Sequence, residues 1–235
     1  MTYTLLMRLA GPLQAWGLQS RFSIRDTARE PTKSGVLGLV CAALGRPREA
    51  SLDDLTALRM GVRVDREGQM RQDFHTAQDI VKASAKIRPG KPIPPSDRKD
   101  TEPSVRHYLA DAWFTVGLAG KNRALLEEID QALAAPRWSL FLGRKAFPPS
   151  LPLRIVNSDG EATGLVAAPL VAALASFQDP LYTSHDERPV RIVLDADVPH
   201  NGLHVVAERM QPDQPVSFRP RRFLPREVVI GYLST

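Results

Sequence analysis

The hydrophobic pattern divides the chain into a few clear elements. Tyr3 to Ala10 is apolar nearly throughout and reads as a buried first strand, ended by Gly11-Pro12. Leu13 to Glu30 is polar and irregular, with Arg21, Arg25 and Arg29 at four-residue intervals. From Val36 to Leu44 the run is apolar on every face, which predicts a buried helix over 34–45. Pro31 blocks helix before it, Thr32 or Ser34 can cap it, and Gly45 followed by Pro47 stops it. Gly38 would let the helix approach a sheet closely. Leu58 to Asp65 alternates apolar and polar as a half-exposed strand does, and Glu67-Gly68 is a turn signal before a return through Met70 to His75.

The composition then changes. Lys82 to Arg106 holds five prolines, seven basic and three acidic residues. Such a segment cannot bury a core of its own and is expected to project as an extended loop or long hairpin arm, about residues 78–108. Tyr108 to Ala119 reads as a strand. Asn122 to Ala135 reads as a helix with Leu125, Leu126, Ile129 and Leu133 on one side, ended by Pro136. Leu140–Leu142 is the candidate next strand. The order is β-α-β-β-α-β, so the fold class is α/β (α+β), a ferredoxin-like or RRM-like domain with an arm. That domain is placed at 1–145. Residues 146–235, with β-like runs at Val190–Leu194, Leu203–Ala207, Val216–Phe218 and Val228–Leu233, form a smaller β-rich C-terminal part packed on it.

Charge and chemistry narrow the function. The net charge of +5 suits a basic patch on a polyanion-binding protein better than a basic tail. The single cysteine, Cys41, sits in the apolar helix and can form no internal disulfide or Cys-rich zinc site. No run approaches 18 uncharged apolar residues and the start does not resemble a signal peptide, so the expectation is a soluble, cytoplasmic protein without membrane contact. Lys33-Ser34 invites a P-loop reading, but the glycines that G-x-x-x-x-G-K-[ST] demands are Thr27 and Thr32. A helix start carrying Lys33, Ser34 and free N–H groups still suits an anion; the alternative is an ordinary core helix with a solvated lysine.

Four basic clusters stand out: Arg21, Arg25, Arg29 and Lys33; the arm; Gly143-Arg144-Lys145; and Arg219, Arg221, Arg222 and Arg226. Together they favour a polyanion track. Trp16, Phe74, Tyr108 and Trp113 are the aromatics near polar or basic residues. Trp113 reads as core, while core and stacking readings of Trp16 both stand. Base stacking contributes about 1–3 kcal/mol per base. His-Glu-x-x-His is absent and no metal or other cofactor is expected. His185 reads as part of an exposed loop. His75 and His107 flank the arm, where an imidazole beside phosphate would act as general base on a ribose hydroxyl.

Five segments in order resemble the CasD family of the type I-E CRISPR Cascade complex: Leu6-Met-Arg-Leu-Ala-Gly-Pro-Leu-Gln-Ala-Trp-Gly17, Pro31-Thr-Lys-Ser-Gly-Val-Leu-Gly-Leu-Val40, Asp73-Phe-His-Thr76, Tyr108-Leu-Ala-Asp-Ala-Trp-Phe-Thr-Val116 and Phe141-Leu-Gly-Arg-Lys145. The resemblance implies a repeat-associated RNA-recognition fold whose arm is the thumb. It implies a non-catalytic subunit that holds the 5′ handle of CRISPR RNA and caps one end of the backbone. Its neighbours would be the backbone subunit CasC and the large subunit CasA, with target DNA reached through the complex. In this subtype CasE cuts the RNA. A sibling subtype uses the corresponding subunit as the nuclease, which keeps a metal-independent endoribonuclease using His75 or His107 as the alternative. The expected RNA-binding residues are Arg21, Arg25, Thr32, Lys33, Ser34, Gly35, His75, Lys82, Lys86, Arg88, Arg106, Tyr108, Arg144 and Lys145, with Trp16 as a stacking candidate. Lys33 is expected to supply charge to phosphate.

Overall fold

The first strand has no polar face because both faces of its sheet are covered. The computed structural model describes residues 1–18, 23–82, 84–87, 89–182 and 189–233. Its strands are β1 (Tyr3–Ala10), β2 (Leu13–Gln14), β3 (Ile24–Arg25), β4 (Arg59–Arg66), β5 (Gln69–Val81), β6 (Arg98–Ala110), β7 (Trp113–Gly120), β8 (Leu165–Val166), β9 (Arg191–Asp195), β10 (Leu203–Phe218) and β11 (Arg221–Leu233). Its helices are α1 (Lys33–Leu44), α2 (Asp53–Thr56), α3 (Arg123–Ala134) and α4 (Leu170–Ser176).

Alternate β1 side chains go to opposite faces. Leu5, Met7 and Leu9 join Phe114, Val116 and Leu118 of β7 beneath α1 and α3. Leu6 points the other way, into a second cluster with Leu170 and Leu174 of α4. That helix lies close because glycines face it. A Cβ at Gly61 would come 2.8 Å from Leu174 Cδ1, and one at Gly117 2.5 Å from Leu170 Cδ1. Thr32 caps α1 by accepting from the Gly35 N–H, and Gly45 ends it with φ +73°. Asn122 caps α3 in the same way through Leu125 N–H.

The seven-stranded sheet runs β10-β11-β9-β4-β7-β1-β8. Within it, β8-β1-β7-β4 are antiparallel neighbours, and with α1 and α3 they give a β-α-β-β-α-β arrangement. The fourth strand is Leu165–Val166, not Leu140–Leu142. Residues 140–147 instead form a loop closed by Leu142 N–H to Phe147 O (2.7 Å) and Phe147 N–H to Arg144 O (2.9 Å), with Leu142 fully buried as its plug. Gly143, at φ +89°, is indispensable there, because a Cβ would stand 1.6 Å from the Ala15 carbonyl oxygen. Strands from both sides of residue 145 share the sheet, since β9 pairs directly with β4.

The arm is longer and more regular than the sequence suggested. It begins at Gln69, and β5 and β6 stay paired from Gln69↔Ala110 to Val81↔Arg98. The arm prolongs the β4–β7 hairpin through a joint at Glu67-Gly68 and Asp111-Ala112, where Gly68 and Asp111 both take positive φ. The expected strand 108–119 is therefore broken at this joint. Leu203–Ala207 and Val216–Phe218, read as separate runs, belong to the single strand β10.

Two buried charge groups stiffen this frame. Arg8, on the α4 side of β1, donates twice to Asp179, both at 2.6 Å, and side-chain exposures are 2% and 0%. Near the start of α1, Lys33 Nζ donates to Asp195 at 3.0 Å while its backbone N–H donates to Asp213 at 2.7 Å. Arg226 of β11 contacts both carboxylates. Removing one partner of a buried pair leaves the other charge unsolvated. Asp179→Ala is expected to cost about 3–5 kcal/mol in urea unfolding, because among the described residues Arg8 would keep only the Pro152 carbonyl.

Candidate nucleic-acid interface

The start of α1 opens onto a groove of about 1090 Å³. Three separate parts of the chain wall it. One is Ala15–Leu18 with Arg25 and Asp26, a second is Gly143-Arg144, and the third is the tip of the β10–β11 hairpin, including Val216, Phe218, Arg221, Arg222, Phe223 and Leu224. Thr32, Ser34 and Gly35 form its floor.

The first two walls are tied together by backbone geometry. Ala15 N–H donates to Leu142 O at 3.0 Å, and Ala28 N–H donates to Trp16 O at 2.7 Å. Arg144 reaches across to the arm's root, where its Nη2 donates to His107 O at 2.9 Å and to Arg25 O at 3.3 Å. Its guanidinium lies over the Phe147 ring at 5.6 Å. Burial first, then repulsion from Arg106 and Arg25, lowers the Arg144 pKa from its ordinary value. An added phosphate would relieve that crowding of cations. On the third wall, Arg221 lies over Phe223 at 5.5 Å.

Of the expected residues, Arg25, Thr32, Ser34, Gly35, Arg144 and Trp16 converge on the groove. Trp16 is not a stacking platform: it is 1% exposed, its indole N–H donates to Gln14 Oε1 at 3.2 Å, and it packs beneath Gly35. Thr32 is buried and spends its hydroxyl on the cap. Tyr108 packs against Phe147 with ring centroids 5.9 Å apart.

Lys33 departs most from expectation. It is 2% exposed and its ammonium points inward to Asp195. Burial lowers its pKa and Asp195 opposes that shift. The anion at the start of α1 is the protein's own Asp213, and the Lys33 ammonium is taken by Asp195, so neither is open to an anion from outside.

The remaining residues lie beside the groove or along the arm. Lys145 is exposed next to Arg144. Arg106 pairs in register with Arg25 and Asp73, so these share one face of the arm's root, while Ile24, Val105 and Phe74 share the other. Phe74 is 69% and Ile24 59% exposed, which makes an apolar row facing solvent. Lys82 and Lys86 sit at the arm's tip, roughly 40 Å along the strands from the joint at 3.3 Å per residue. Arg21, Arg88 and His185 lie outside the described residues.

His75 and His107 do not meet. His75 is opposite Ser104 and His107 opposite Gln72, which puts them about 10 Å apart in register and on opposite faces. His75 pairs instead with Asp73 at 3.0 Å.

Sequence reasoning counted the cluster at 219–226 in the polyanion track but named none of its arginines as an RNA-binding residue, and the structure divides it. Arg221 and Arg222 line the groove, Arg226 is internal, and Arg219 bonds Glu49 at 2.9 Å. The usable signal was the interleaving Phe218, Arg221, Arg222 and Phe223, cations beside aromatics as single-stranded nucleic acid requires. Cys41 is core, its thiol pKa pushed up to about 11 by burial.

Comparison with known proteins fits this geometry. The family CRISPR-associated protein (Cas_Cas5) matches residues 4–228. The chain is 36% identical over 162 residues to the CRISPR system Cascade subunit CasD of Escherichia coli (strain K12), covering 63% of this chain and 68% of that protein. Two solved structures superpose over nearly all of it. One, a crystal structure of a Cas protein, has a TM-score of 0.71 and 39% identity, covering 98% of this chain and 94% of that one. The other, from a CRISPR RNA-guided surveillance complex, has a TM-score of 0.66 and 31% identity, covering 98% and 90%. Fold and sequence thus converge on one assignment: the chain belongs to the CRISPR-associated Cas5 family.

Proposed function

We propose that this chain is the subunit of a Cascade-type surveillance complex that holds the 5′ handle of CRISPR RNA, caps one end of the backbone and does not cut RNA. The observation that carries this reading is the groove, where Arg25, Arg144, Arg221 and Arg222 gather around the open floor formed by Ser34 and Gly35. Arginine forks suit phosphate oxygens, and the neighbouring Phe218 and Phe223 suit unpaired bases. A folded handle fits such a site better than a duplex, which needs a protruding helix or ribbon to read a groove.

The arm is the thumb in this reading. Its basic root face follows the RNA, and its apolar row at Ile24, Val105 and Phe74 pushes between nucleotides or grips the adjacent backbone subunit. CasC is the neighbour along the filament and CasA the neighbour at the capped end. Target DNA is met through the assembled complex, in the cytoplasm.

Substituting Arg144, Arg221 and Arg222 by Ala should weaken binding of single-stranded repeat RNA and make the log–log salt slope shallower by about 2, near 0.7 per phosphate. Fluorescence anisotropy across salt measures this, and an unchanged slope rejects the groove. Lys33→Ala should lower the melting temperature and leave the slope as it was, because its ammonium is internal. Repeat RNA incubated with the purified chain should stay intact with or without chelator. Specific cleavage that disappears with His75→Ala or His107→Ala would instead establish the endoribonuclease.

A further inference from the structure

We infer that Asp213 is a positioning residue for the RNA groove: it supplies the anion at the start of α1 and thereby seats the β10–β11 hairpin as the groove's third wall. This rests on the groove reading above. The hairpin is exposed on both faces over Ala207–Met210, then abruptly buries alternate residues, Gln211, Asp213 and Pro215. The change coincides with a register shift between Gln211 and Gln214, where β10 carries one residue more than β11. Such a bulge bends a strand and re-aims its side chains.

Here it aims Asp213 at α1. The carboxylate accepts from Lys33 N–H (2.7 Å), Gln211 Nε2 (2.8 Å), Arg226 Nε (2.7 Å) and Arg226 Nη2 (3.1 Å), and the residue is 1% exposed. A helix N-terminus favours a negative group, and this one is filled from a strand 180 residues later in the chain. Arg226 carries the tie across the hairpin to Asp195 at the end of β9. Arg221 and Arg222 follow on the same hairpin, at the groove. Asp213 itself does not line the groove, so its effect on RNA passes through those arginines.

The test is a double-mutant cycle on the full chain with single-stranded repeat RNA. Asp213→Ala should weaken binding about tenfold and make the salt slope shallower by about 1.4, as the pair Arg221→Ala, Arg222→Ala does. In the arginine-free background Asp213→Ala should add nothing. An equal further loss there overturns the proposal. Hydrogen exchange of amides 214–224 should accelerate in Asp213→Ala while β1 and β7 stay protected, and unchanged protection also overturns it. That readout needs no RNA. If the arginine pair alone leaves binding unchanged, the groove reading has failed and exchange still decides whether Asp213 seats the hairpin. Should Asp213→Ala not fold, Asp213→Asn carries the same measurements, since an amide oxygen alone cannot serve four donors.

Discussion

Two carboxylates and two cations are sealed together where α1 begins, and much else depends on how they balance. Asp195 and Asp213 meet Lys33 and Arg226 with no charge left over. Each group taken singly would be costly to bury; the four together are tolerable because each is hydrogen-bonded and paired. Their positions come from distant segments: a helix start, the end of β9, and both strands of a late hairpin. Closing this group therefore requires that the sheet, α1 and the hairpin all be in place. It works as a check on assembly as much as a source of stability. Next to it, Glu30 joins Arg191 and Arg209, and Arg191 also holds Glu67 at the arm's joint. The segment before α1 is thus fastened to both long hairpins.

The legibility of the sequence follows from how much each element depends on its surroundings. α1 and α3 were readable because their signals are local: an unbroken apolar run with a Pro-Thr start and a Gly stop, and an apolar stripe behind an Asn cap. The arm was readable as a composition but not as strands. Both faces of β5 meet solvent, so no alternation marks it. The fourth core strand escaped because two residues carry no period. Leu140–Leu142 looked like a strand because Leu142 is buried, but it is buried as a plug in a loop.

The candidate site shows the same division. Ser34, Gly35, Arg25 and Arg144, all named from residue type and sequence context, line one groove. Lys33 misled because a lysine at a helix start has the same sequence signature whether its anion is a phosphate or an aspartate. The distinguishing residue, Asp213, lies 180 positions away, and only the fold brings it there. For Trp16 the core and stacking readings both stood, and burial decides for core. The loop that carries it folds the indole under α1, against Gln14, which no local pattern signals. Arg221 and Arg222 could be counted from the sequence, but their place in the same groove as Arg144 depends on a bulged hairpin whose register no local pattern announces.

The joint at Gly68 and Asp111 has a mechanical implication. Because β5 and β6 are prolongations of β4 and β7, the arm springs from interior strands of the seven-stranded sheet and not from an edge. A neighbour pressing on its far end therefore applies torque to two buried central strands, which resist it. The joint is braced from outside the arm, since Arg191 grips Glu67, the Asp111 N–H donates to Pro12 O and Arg66 donates to the Asp111 carbonyl, so load at the tip is carried into the sheet as by a cantilever built into a wall.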